Sequence, residues 1–97
     1  MVNTVDPEKI NDWMDDNREI IHRNSLNKCK EFIDLKLEDE VIHLMDFEWN
    51  NDVYAKVYIH TEVMNDALES AKEFFVENEM FEEASLARDL LVIVSNK

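Results

Sequence analysis

The residue pattern predicts an α+β fold that is mainly helical, and three observations carry the prediction. Apolar residues recur at helical spacing near both ends of the chain, residues 53–60 form a β-branched and aromatic run, and Asn50-Asn51-Asp52 supplies turn chemistry just before that run. The expected architecture is a set of N-terminal helices, a central β-hairpin and a C-terminal antiparallel helical hairpin. The alternative is an all-α bundle, in which Val53, Val57, Met64, Ala67 and Ala71 line one continuous helical face.

Asp6-Pro7-Glu8 reads as a helix start: Asp6 as N-cap, Pro7 at the first helical position, and Glu8 near the positive end of the dipole. Ile10, Trp13, Met14, Ile20 and Ile21 then predict a helix over 7–23. Asn24-Ser25 offers a second cap, after which Leu26, Cys29, Phe32, Ile33 and Leu37 continue an amphipathic pattern to about Leu37. Residues 41–49 and 53–60 fit two strands on β-propensity. From Thr61 the pattern is helical, with Val63, Met64, Ala67, Leu68, Ala71, Phe74 and Phe75 on one side and Glu69, Glu73 and Glu77 on another. A break near Asn78-Glu79-Met80 precedes a last helix from Phe81 to Leu91, and so tight a connection makes the two helices antiparallel neighbours. No repeat, low-complexity tract or linker interrupts the chain, so a single domain over 1–97 is expected.

A chain of 97 residues has material for one modest core, and 45% apolar residues supply it. The formal net charge of −13 repels nucleic-acid phosphates and anionic membranes, so direct binding to either is not expected. That charge is uneven: residues 1–37 hold eight acids against six bases, whereas residues 38–97 hold fifteen against four. Cys29 is the lone cysteine, the first 25 residues lack a basic start followed by an apolar run, and no stretch approaches the ~20 apolar residues of a membrane span. A cytoplasmic location is the expectation. Glycine is absent, which excludes phosphate loops and dinucleotide turns of the usual kind.

Two Glu-x-x-His pairs, Glu19…His22 and Glu40…His43, have the spacing used in di-metal bundles. At 100° per residue Glu19 and His22 fall opposite the apolar stripe of the first helix, among Asp12, Asp15 and Asp16, so no metal or other cofactor is expected. Cys29 falls in the apolar pattern of Leu26, Phe32 and Ile33 and reads as a half-buried core thiol, not an activated nucleophile. No catalytic constellation stands out, and enzymatic activity is not expected. Trp13, Trp49, Tyr54, Tyr58, Phe74, Phe75 and Phe81 read mostly as core. Phe74 and Phe75 point about 100° apart on one helix, so one of them is a candidate exposed anchor.

The segment from Leu68 to Met80 followed by Phe81-Glu82-Glu83-Ala84-Ser85-Leu86-Ala87-Arg88-Asp89 resembles the UVR motif. That motif is a short antiparallel helical hairpin of excision-repair nuclease subunits and Clp-protease-associated adaptors, with Phe-Glu-x-Ala-Ala-x-Leu-Arg-Asp after the turn. Phe81, Glu82, Ala84, Arg88 and Asp89 match, while Ser85 and Ala87 depart from the second Ala and the Leu. The resemblance covers about a quarter of the chain and implies docking onto a protein partner.

Two functions follow as expectations. One is an acidic inhibitor or regulator that occupies the basic cleft of a nucleic-acid-binding protein, its carboxylates standing in for phosphates. The other is an adaptor that docks through the hairpin. In both, the partner is a protein, and a basic surface on it suits the first; homo-oligomerisation is left open. The expected contact residues are Glu62, Asp66, Glu69, Glu73, Glu77, Glu79, Phe81, Glu82, Glu83 and Asp89.

Overall fold

A computed structural model describes residues 2–96. The elements are β1 (Val2–Thr4), α1 (Ile10–Asp16), α2 (Arg18–Asp34), β2 (Val41–Trp49), β3 (Asp52–His60), α3 (Met64–Glu77) and α4 (Phe81–Ser95), with single 3-10 turns at Pro7–Lys9 and Thr61–Val63. The fold is therefore α+β and mainly helical, and the central hairpin and the C-terminal helical pair form as expected.

Asn50 and Asn51 build the hairpin turn, both with positive φ (53° and 67°), the backbone that matches the twist of the flanking strands. The sheet order is β1-β2-β3, with β2 and β3 antiparallel and β1 parallel to β2. The sequence pattern did not signal β1: it is three residues long, below the length at which alternation is readable. Its attachment is completed by Val5, whose N–H donates to the Glu48 carbonyl (3.1 Å) while its own carbonyl accepts from the Tyr54 hydroxyl (2.7 Å).

In β2 the inward alternation Ile42, Leu44 shifts to Met45, Phe47 because the register slips between His43 and Met45. The bulge lets two consecutive residues, Leu44 and Met45, both reach the core. Leu44 has no cross-strand partner, and its carbonyl accepts instead from Asn24 Nδ2 (2.8 Å), which fastens α2 to the sheet.

That bond also explains where the helix boundaries depart from expectation. Helix α2 begins at Arg18 and runs through Asn24 and Ser25, which are not caps. Ser25 Oγ donates to the Ile21 carbonyl four residues back (2.9 Å), the mid-helix use of a hydroxyl. The break falls at Asn17, whose backbone N–H and Nδ2 both donate to the Trp13 carbonyl (3.0 and 2.8 Å) and so close α1.

Helices α2 and α3 both end in the same motif. Leu37 N–H donates to the Phe32 carbonyl and Lys36 N–H to Ile33; Met80 N–H donates to Phe75 and Glu79 N–H to Val76. This is the Schellman pattern, which places Lys36 (φ 53°) and Glu79 (φ 58°) in the left-handed region normally given to glycine.

The core lies between the sheet and the helices: Leu26, Cys29, Phe32 and Ile33 from α2, Leu44, Met45 and Phe47 from β2, Met64, Leu68, Ala71 and Phe75 from α3, and Ala84, Ala87 and Leu90 from α4. Phe47 and Phe75 are fully buried, each contributing roughly 1.5–3 kcal/mol by removal from water. Several aromatics expected inside are not: Trp49, Tyr54, Tyr58 and Phe81 are exposed, at the sheet's outer surface, the hairpin tip or the start of α4. Among the described residues no helix is long and apolar enough to cross a membrane.

Candidate functional site

The expected contact residues lie on the hairpin of α3 and α4 and on the turns that flank α3. In α3 the buried side is Met64, Leu68, Ala71 and Phe75. At 100° per residue, Asp66, Glu69, Glu73 and Glu77 fall within about 50° of the opposite direction, and all four are exposed. From Asp66 to Glu77 they span twelve residues, about 16 Å of helix axis. Of these four, Glu69 alone is in an ion pair among the described residues, with Lys72 at 3.4 Å. Glu62 precedes the stripe in the 3-10 turn, and Glu79 and Glu82 follow it across the Schellman turn; all three are exposed. Asp89 is exposed on α4 and lies 3.3 Å from Arg88.

Glu83 is the exception. Arg23 Nη1 donates to its Oε1 at 3.0 Å, and that hydrogen bond, ahead of a backbone hydrogen bond and the guanidinium charge, holds the carboxyl below its ordinary range. Arg23 also lies over the Phe75 ring (5.8 Å to the centroid) and 3.7 Å from Glu19. Glu83 thus ties α4 to α2 and is engaged within the fold. Its inward direction follows from its place beside Ala84 and Ala87 on α4, a signal already present in the helical spacing.

Phe81 is 61% exposed at the first position of α4. It borders a groove of about 210 Å³ between the helices, lined also by Val76, Ala84, Lys72 and Arg88. Neither Phe74 nor Phe75 is the exposed anchor of the hairpin. Phe75 is fully buried, and Phe74 is half-buried against α2, with His22 stacked on it at 4.7 Å and Arg18 over its ring at 5.7 Å. The covering by α2 on a second side of α3 is what shelters Phe74 while Phe75 is fully buried.

That contact corrects the placement of His22, expected on the outward side of the first helix. The break at Asn17 resets the helical phase, so His22 faces α3 while Glu19 stays exposed. Burial first, and the Arg18 charge second, push the His22 pKa below 6.5. Glu40 and His43 lie in a loop and a strand, not on a facing helix, and His43 Nε2 is 2.7 Å from Asp46. Cys29 is fully buried, and burial pushes its thiol up to about 11, so the reactive thiolate is scarce at neutral pH.

With this geometry the chain is, by class, a small acidic α+β domain that presents one carboxylate-lined helix face. Comparison with protein-family models, with curated proteins and with solved structures finds no match.

Proposed function

We propose that the chain is an acidic protein-binding regulator whose α3 face enters the basic cleft of a nucleic-acid-binding protein. The observation that carries this reading is the stripe of Asp66, Glu69, Glu73 and Glu77 on the side of α3 opposite its core residues. Four carboxylates over about 16 Å compare with roughly five phosphates of one DNA strand over the same axial length, at one per 3.4 Å. The stripe is costly to the helix, since Glu69/Glu73 and Glu73/Glu77 are like charges at i,i+4, each worth a few tenths of a kcal/mol against folding. A basic partner offsets that repulsion, and the unpaired carboxylates then give attraction that weakens with salt.

The test is displacement of a fluorescent DNA duplex from a panel of nucleic-acid-binding proteins, in a salt series. Supporting results are displacement from at least one of them and a loss of about tenfold in apparent affinity from roughly 50 to 200 mM salt. Displacement indifferent to salt contradicts the reading.

A second reading rests on Phe81, a large apolar side chain left exposed beside the groove between α3 and α4. In it the hairpin docks as the resemblance to the UVR motif implies, and Phe81 is the anchor. Binding of a captured partner then survives high salt and is lost in Phe81→Ala, by about tenfold or more if the ring is an interface hot spot.

A further inference from the structure

Away from the α3–α4 hairpin, the start of the chain and the end of β2 line an open groove of about 390 Å³. Trp13, Trp49, Asp6, Asp12 and Asp16 are among its lining residues, with Lys9 as the one basic side chain. Trp13 is held in place by an edge-on contact with the buried Phe47 ring (5.1 Å between centroids, 84° between planes). Trp49 is 39% exposed at the end of its strand. A volume of this size is at the lower end of ligand pockets, enough for one side chain and its flanking backbone.

The local energetics show what such a groove lacks. Helix α1 has no buried residue, and no basic residue stands in its last turn, where Asp15 and Asp16 oppose the helix dipole. Asp12 and Asp16 are like charges at i,i+4 on the same side of that helix, and none of the ion pairs among the described residues engages either. Asp6 Oδ1 already accepts the Glu8 N–H at 3.0 Å, which leaves its second oxygen. Carboxylates kept where they weaken a marginal helix, in one groove with two indole side chains, fit a cation from outside the chain.

We propose that this groove binds an arginine side chain presented by a partner protein. The guanidinium is planar, so it stacks on an indole, and its five donors match carboxylate oxygens in pairs. A quaternary ammonium has no donor for Asp12 and Asp16, and an ammonium gives no planar stack. The site lies on α1, β1 and β2 and does not depend on the α3 stripe.

Trp13 and Trp49 are the only tryptophans of the chain, so indole emission reports on this groove. The probes are the capped tripeptide Gly-Arg-Gly and its lysine and citrulline counterparts, titrated at low salt. The arginine peptide gives a saturable change in emission; the lysine peptide binds at least about threefold and the neutral citrulline peptide at least about tenfold more weakly. The double variant Asp12→Asn/Asp16→Asn binds the arginine peptide at least about fivefold more weakly while its melting temperature does not fall, because like-charge repulsion has been removed. Glu31→Gln, exposed on α2, binds as the unaltered chain does. A non-saturating response, citrulline or lysine binding equal to arginine, or undiminished binding by the double variant overturns the assignment.

Discussion

Lys36 and Glu79 show most directly what a glycine-free chain pays to fold. Each ends a helix in the left-handed region, at φ 53° and 58°, where a side chain with a Cβ costs about 1 kcal/mol relative to glycine. Lys36 takes no part in any ion pair among the described residues and is exposed. Replacing Lys36→Gly is therefore expected to stabilise the fold by up to about 1 kcal/mol, less the entropy glycine adds to the unfolded chain. Urea unfolding measures it: a raised midpoint with an unchanged slope is the expected result. Asn50 and Asn51 occupy the same region at lower cost, since short polar side chains tolerate it, and they were legible as turn residues beforehand. Lys36 and Glu79 were not legible, because nothing in their residue type marks a positive φ.

Among the elements, the hairpin and the two C-terminal helices were readable because their signals are local. The run Val53–His60 is β-branched and aromatic, and α3 repeats its apolar residues at 64, 68, 71 and 75. Strand β2 was harder to read because its bulge breaks the alternation between Leu44 and Met45. The N-terminal boundaries were misread because Asn24 and Ser25 have the chemistry of caps, and only the fold shows Asn24 bonded to β2 and Ser25 to its own helix. The same shift of phase brought His22 onto Phe74, a contact between α2 and α3 that sequence spacing placed in solvent. This contact predicts a pH dependence. With its pKa lowered in the folded state, His22 binds its proton first in the unfolded chain, so its contribution is present above 6.5 and is lost as pH falls through that value and below. Relative to His22→Gln, the unaltered chain should lose stability as pH drops from about 7.5 to 5.5, measured by denaturant midpoints at each pH. Parallel midpoints in the two proteins would show that the stacked ring is not desolvated.

Across the whole molecule, the formal charge of −13 is the dominant feature, and the fold distributes it in two ways. Glu83 is drawn into a bond with Arg23, whereas the α3 carboxylates remain at the surface. The second group was legible in the sequence as a 3.6-residue stripe; the first was not, because its cation comes from 60 residues earlier. Self-repulsion of this kind lowers stability at low ionic strength, so added salt should raise the melting temperature. Neutralising the stripe should do the same at low salt.

Neutralising the stripe therefore separates the proposed function from folding. The most direct measurement compares the unaltered chain with Asp66→Asn/Glu69→Gln/Glu73→Gln/Glu77→Gln in displacing duplex DNA from a nucleic-acid-binding protein that the unaltered chain engages. The account predicts that the variant melts no lower, displaces DNA at least about tenfold more weakly, and has a shallower dependence on salt. A variant that is equally folded and displaces DNA as well as the unaltered chain, with the same salt dependence, contradicts it.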